Sequence, residues 1–229
     1  TNGSLTVIGG GGDDLITGTA SSSGDTLNGN SGADTFSFVA ANLSALDTVS
    51  GGTGTDNILL LGTAVGTVTD ADLTGVTSIE TFNSHNGDLT LTLDAQASEA
   101  GIKTVNLVSS GNANVVTVGA GMENALKLTL TANTDTVTAA AYTKALTVTA
   151  AEASLTSADT ITGGTGADTL SVTFSGTALS SSDVSKVSKI ETISSATNAI
   201  GGLTLGDVNI AKDGTLTVNA AKNTSAAFT

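Results

Sequence analysis

Short glycine-rich runs that end in aspartate hold the densest chemistry of this chain. Gly9-Gly10-Gly11-Gly12-Asp13-Asp14-Leu15-Ile16-Thr17 follows the pattern G-G-x-G-x-D-x-U-x, where U is a large apolar residue. The pattern returns as Gly51-Gly52-Thr53-Gly54-Thr55-Asp56-Asn57-Ile58-Leu59 and as Gly163-Gly164-Thr165-Gly166-Ala167-Asp168-Thr169-Leu170-Ser171. A near copy is Gly29-Asn30-Ser31-Gly32-Ala33-Asp34-Thr35-Phe36-Ser37. The Asp-x-U half also stands alone at Asp25-Thr26-Leu27, Asp47-Thr48-Val49 and Asp159-Thr160-Ile161. Each of these half-motifs lies 9 residues before a full one, at Asp34, Asp56 and Asp168. Glycine allows positive φ, so the backbone turns tightly and its carbonyls can point inward. The aspartate adds a carboxylate, and the U residue starts a strand with its side chain in the core. Carbonyls plus carboxylates, without nitrogen or sulfur donors, form a hard-oxygen site. Calcium accepts about 6–8 such oxygens in flexible geometry, whereas magnesium demands a tight octahedron and retains its waters.

Other chemistries are poorly supplied. The 229 residues include no Cys, which removes disulfides, thiolate nucleophiles and Cys-ligated metals. A single histidine, His85 in the turn-like Asn83-Ser84-His85-Asn86-Gly87, excludes a multi-His metal site and reads as a surface-loop residue. No G-x-S-x-G nucleophile elbow occurs. Lys+Arg total 7 against 21 Asp+Glu, for a formal charge of -14, and every cation is Lys. Phosphate neutralisation needs clustered cations, so no nucleic-acid partner is expected. The longest apolar run is four residues, Ile58–Leu61, far short of the roughly 20 that a membrane span requires. Charged residues at 12% and hydrophobics at 39% argue against disorder. The chain opens on Thr1 and reads as a piece of something larger.

The elements that must position these turns are strands. Leu89–Leu93, Leu126–Thr131, Leu146–Thr149 and Leu216–Asn219 alternate apolar with mostly hydroxyl side chains, which suits a pleated, half-buried surface. Helical patterning is confined to a turn or two at Asp94–Ala100 and Ser182–Val187. Similar strands centre on Val105, Leu128 and Thr147, with Val115–Val118, Asp135–Thr138 and Asp159–Thr162 between them. Two strands in roughly 20 residues is the period of a β-solenoid rung, and an antiparallel sandwich gives comparable spacing. A longer repeat is sharper. Asp47–Asp56 matches Asp159–Asp168 at an offset of 112, and Val76–Phe82 matches Val187–Ile193 at 111. Residues 1–46 therefore read as a Gly/Asp-rich lead-in, 47–158 as a first repeat module, and 159–229 as a truncated second one.

The Gly–Asp runs resemble the nonapeptide repeats of the RTX β-roll family at four places. The resemblance implies an all-β fold, a parallel β-roll or β-solenoid that is partly mixed with sandwich-like modules. It implies Ca²⁺ between stacked turns, held by Asp14, Asp34, Asp56 and Asp168, with Asp25, Asp47 and Asp159 as secondary ligands. Carbonyl donors would come from the turns of Gly9, Gly10, Gly12, Gly32, Gly51, Gly52, Gly54, Gly163, Gly164 and Gly166. RTX toxins and proteases carry long uninterrupted arrays, whereas here the copies come in ones and twos between Thr/Ala/Val-rich segments. That mixture is similar to bacterial surface-layer and extracellular filament proteins. The expectation is a non-enzymatic structural component, secreted to the cell surface, that folds and self-assembles on calcium. Its partners would be copies of itself and a cell-surface polysaccharide. The alternatives are a segment of a large RTX adhesin or biofilm protein, and the secretion β-roll of an exported enzyme.

Two further acidic features stand out. Glu80 and Glu191 occupy equivalent places in the two modules and read first as solvent-facing strand positions, with calcium ligation or a lattice contact as alternatives. Asp70 and Asp72 read as metal ligands or as the acidic first turn of a capped helix.

Overall fold

The computed structural model describes residues 3–20, 22–62, 65–84, 87–108, 113–175, 178–195, 203–205 and 216–219; His85 lies outside them. Every strand pairing among the described residues is parallel, so the sandwich alternative gives way to a β-solenoid of about 8 turns. Strands are numbered along the chain. One four-stranded sheet stacks β1 (Thr6–Ile8), β3 (Thr26–Ser31), β5 (Thr48–Thr53) and β8 (Val76–Thr77). A six-stranded sheet stacks β7 (Gly66–Val68), β10 (Leu89–Leu93), β12 (Asn114–Val118), β14 (Asp135–Thr138), β16 (Thr160–Thr162) and β18 (Val187–Ser188). The opposite wall is a ten-stranded sheet. It comprises β2 (Leu15–Thr17), β4 (Thr35–Val39), β6 (Asn57–Leu61), β9 (Thr81–Asn83), β11 (Thr104–Asn106), β13 (Leu126–Thr129), β15 (Leu146–Ala151), β17 (Thr169–Thr173), β19 (Thr192–Ser195) and β20 (Thr217–Asn219).

Period-two alternation sends one side chain inward and the next outward. Inward residues form columns one residue wide. Ile16, Phe36, Ile58, Phe82, Val105, Leu128, Val148, Leu170 and Ile193 stack in register along the ten-stranded wall, all buried. Val68, Leu91, Val116, Val137, Ile161 and Val187 do the same on the six-stranded wall. Leu128 pairs with Val148, so the strand centre lies one residue beyond the expected Thr147. Outward residues form ladders too. Thr67, Thr90, Val115, Thr136 and Thr160 make one column, and Thr92, Thr117, Thr138, Thr162 and Ser188 its neighbour. Parallel sheets are usually covered on both faces and read as continuous apolar runs. Here the outer face meets solvent, which explains why Thr alternates with Val, Ile and Leu.

The pairing runs without interruption across residues 46/47 and 158/159, through β3–β5, β14–β16 and β15–β17. The one α-helix among the described residues, α1 (Ala95–Ala100), interrupts a corner and ends on Gly101 at φ 99°, a left-handed cap that favours glycine. Its N-terminal amides are capped from the preceding rung, where Asp70 accepts from the backbone N–H groups of Asp94, Gln96 and Ala97. Asp72 closes a capping box with Thr69 on the 3₁₀ turn Asp70–Leu73, as the cap reading requires.

Candidate metal centre

The Gly–Asp runs form the corners that lead from the four-stranded sheet, and later the six-stranded sheet, into the ten-stranded wall. Stacking of rungs places equivalent turn residues directly above one another. At Gly54, φ is 149° and a Cβ would stand 1.7 Å from the Gly32 carbonyl oxygen of the rung before. No other residue fits that approach. Asn30 holds the register position of Gly52 at φ 74°, a conformation asparagine tolerates better than most residues. Gly164 and Gly166 lie equally close to the carbonyls of Tyr142 and Lys144. Gly10 and Gly12, on the outermost rung, have open space around them.

The carboxylates turn inward and link rung to rung. One oxygen of Asp34, Asp56 and Asp168 accepts a backbone N–H from the rung before. Asp34 Oδ1 takes Asp14 N–H at 2.9 Å, Asp56 Oδ1 takes Asp34 N–H at 2.7 Å, and Asp168 Oδ1 takes Leu146 N–H at 2.8 Å. The second oxygen faces the first motif glycine of its own turn. A Cβ on Gly29 would lie 2.0 Å from Asp34 Oδ2 and 2.8 Å from the carbonyl oxygen of Gly51 on the next rung. The same pair of oxygens recurs around Gly9 (Asp14 Oδ2, Gly29 O), Gly51 (Asp56 Oδ2, Ser78 O) and Gly163 (Asp168 Oδ2, Lys189 O). Asp14 Oδ2 and Asp168 Oδ2 also accept from Gly10 and Gly164 N–H groups, at 2.9 and 2.6 Å. Asp34 Oδ2 and Asp56 Oδ2 are buried and have no hydrogen-bond partner among the described residues.

An orphaned carboxylate oxygen in the interior is costly unless something positive faces it. Burial pushes the Asp56 carboxyl above the ordinary aspartate range, and the negative charges of Asp34 and Glu80 push the same way. Asp168 is raised by burial and then by Glu191. Lysine does not relieve this strain, since the ion pair present among the described residues, Lys144 with Glu123 at 2.7 Å, is exposed and elsewhere. Each corner brings together one or two carboxylates and backbone carbonyls. No cluster of three acidic or His side chains forms among the described residues, so a cation here would depend largely on carbonyl oxygen. That donor set fits Ca²⁺ and suits neither zinc nor copper.

Asp25, Asp47 and Asp159 lie at a different corner, ahead of β3, β5 and β16, and are equally buried. Both oxygens of each carry donors. Asp47 Oδ1 takes Asp25 N–H at 2.8 Å, and its Oδ2 takes Ser44 N–H at 2.8 Å. Asp159 Oδ1 takes Asp135 N–H at 2.8 Å, and its Oδ2 takes Thr156 N–H at 2.7 Å. Asp25 clamps Leu5 and Thr19 alike. Asp135 belongs to this column, with Asn114 and Thr131 as its donors, yet in the sequence it reads only as the start of a strand. Ser44, Thr131 and Thr156 donate their backbone N–H groups to the aspartate three or four residues on, but Ser31, Thr53 and Thr165 stand equally close before the motif aspartates, so only the stacking of rungs separates the two columns.

Glu80 and Glu191 depart from their expected solvent-facing positions. Both are half-buried, and both continue the turn-aspartate column. Glu80 Oε2 accepts Asp56 N–H at 2.8 Å, and Glu191 Oε2 accepts Asp168 N–H at 2.7 Å. Register alone reveals this, because their partners lie 24 and 23 residues away.

Comparison with known families finds the RTX calcium-binding nonapeptide repeat, in 4 copies, at residues 6–36 and 155–172. Comparisons with curated proteins and with solved structures find no significant match. The turn at Gly51–Asp56 falls outside the matched residues yet repeats their geometry. The chain thus carries RTX calcium-binding nonapeptide repeats, set into the corners of a parallel β-solenoid.

Proposed function

We propose that this chain is a structural segment of an extracellular bacterial surface layer, and that calcium binding at its Gly–Asp corners switches it into a folded, self-assembling form. The observation that carries the reading is the recurring oxygen pair at each corner, a turn carboxylate and the carbonyl of the next rung. Asp14, Asp34, Asp56 and Asp168 would hold the ion with the turn carbonyls. Bound Ca²⁺ supplies the positive charge that lets stacked carboxylates sit one rung apart. The half-motif residues Asp25, Asp47 and Asp159 serve chiefly as backbone clamps.

Metal binding to a site absent from the unfolded chain is folding free energy. Sites in the roughly 10⁻⁴–10⁻³ M range of extracellular modules would fill outside a cell and stay empty inside it. The outward walls support assembly over catalysis. Among the described residues, the two outward columns of the six-stranded sheet carry no charged residue, and those of the ten-stranded sheet carry Lys127 alone. Flat, neutral, hydroxyl-lined walls can approach one another despite the chain's net charge, which is concentrated at the corners. The test is circular dichroism with light scattering during a calcium titration, reversed with EGTA. Strand signal and particle size should rise together and fall on chelation. A fold and particle size indifferent to calcium would overturn the proposal.

A further inference from the structure

We propose that Glu80 and Glu191 are calcium ligands that close the two turn stacks, Glu80 with Asp56 and the Ser78 carbonyl, Glu191 with Asp168 and the Lys189 carbonyl. The inference rests on the reading that the Gly–Asp corners hold calcium, and it places ligands outside the nonapeptide motif altogether.

Three observations carry it. First, the loops Ser78–Glu80 and Lys189–Glu191 occupy the place of the next Gly–Asp turn. Ser78 O lies 1.9 Å from a Cβ built on Gly51, and Lys189 O lies 1.9 Å from one built on Gly163, where Gly51 O approaches Gly29 in the rung before. Ser78 and Lys189 adopt positive φ, 55° and 53°, although neither is glycine, which turns their carbonyls toward the corner. Second, each glutamate takes the backbone N–H that a motif aspartate takes in the other rungs. Third, Asp56 is 1% exposed, and its Oδ2 points into this corner without a partner among the described residues.

The choice of glutamate follows from loop length. In a motif turn the carboxylate stands five residues after the carbonyl donor, as Gly51 to Asp56. In the closing loops it stands only two after, as Ser78 to Glu80. The shorter loop cannot wrap the corner, and the additional methylene of glutamate restores the reach. Two independent loops, 111 residues apart, use the same solution. A stack of rungs has an end, and the last ion needs oxygens from a rung that lacks the motif.

A glutamate that merely caps a backbone amide predicts otherwise, and glutamine separates the two. Glu80→Gln and Glu191→Gln keep the length and a carbonyl acceptor for the Asp56 or Asp168 N–H while removing the charge. Calcium titration calorimetry on the full chain should show each variant losing one equivalent, or one site weakened roughly tenfold or more. Circular dichroism at saturating calcium should match the parent. Asp34→Asn is the control for the underlying reading. Unchanged stoichiometry and affinity in both glutamine variants, with loss in Asp34→Asn, would overturn the ligand assignment and leave the calcium reading intact. A calcium-saturated spectrum that departs from the parent while the full calcium stoichiometry is kept assigns the glutamates to the backbone cap and also overturns it. A parent chain that takes up no calcium overturns both.

Discussion

Two glycines that look alike in the motif should respond oppositely to alanine. Gly51 and Gly10 are the first and second glycines of their respective runs, and nothing local distinguishes their chemistry. In the folded chain, a Cβ on Gly51 would lie 1.9 Å from the Ser78 carbonyl oxygen, 2.5 Å from Asp56 Oδ2 and 2.7 Å from Asp56 Cβ. The first of these is backbone and cannot rotate away. Either the rungs separate or the Asp56 carboxylate is expelled. Overpacking of this kind costs about 1–3 kcal/mol. Displacing Asp56 also breaks its bond to Asp34 N–H, a hydrogen bond to a charged group worth about 1.5–3 kcal/mol. The combined loss for Gly51→Ala is therefore about 2.5–6 kcal/mol. Around Gly10 nothing lies within 4 Å, and its backbone is not in the positive-φ region. Gly10→Ala should be neutral or stabilising by about 0.4–1 kcal/mol, because alanine restricts the unfolded chain. Urea unfolding in saturating calcium measures both, with calorimetry reporting any lost ion. Equal effects from the two substitutions would refute the stacking of the Gly51 turn beneath Ser78.

Metal-free stability should depend on pH in the direction opposite to ordinary acid denaturation. Asp56, Asp135 and Asp168 are all raised above the usual aspartate range, mainly by burial, so the folded chain holds protons that the unfolded chain releases. Stability in EGTA therefore rises as pH falls from neutral through the raised values, and the gain is complete below about pH 4, where unfolded aspartate protonates too. A strand signal in EGTA that falls, rather than rises, on acidification from neutral pH would contradict this. Thr131→Val removes the hydroxyl that donates to Asp135 Oδ2 at 3.0 Å and should cost about 1.5–3 kcal/mol. Because Asp135 belongs to the clamped corner, thermal unfolding of the calcium-saturated chain should show that loss while calorimetry shows an unchanged calcium stoichiometry.

Much of the calcium chemistry was legible in the sequence because it is local. A tight turn needs glycine within a few residues of the aspartate, and nine-residue phasing shows that successive turns recur with the strands. Alternation of Thr with Val, Ile and Leu likewise identified the strands and their buried faces, since period two is a property of one strand alone. What remained open depended on the neighbouring strand. Alternation is the same in parallel and antiparallel pairs, and it is the parallel register of Leu128 beside Val105 and Val148 that excludes the sandwich. The same limit hid the division among the aspartates. Asp47 and Asp56 stand nine residues apart in one motif, but rung stacking clamps both oxygens of Asp47 and leaves Asp56 Oδ2 bare. Glu80 looked like a surface residue because its partner, Asp56, lies a full rung away. Composition and spacing determined that hard-oxygen turns alternate with hydroxyl-faced strands. Tertiary stacking decided which oxygens remain free for an ion, because only the next rung supplies the amide that satisfies one carboxylate oxygen and the carbonyl that faces the other.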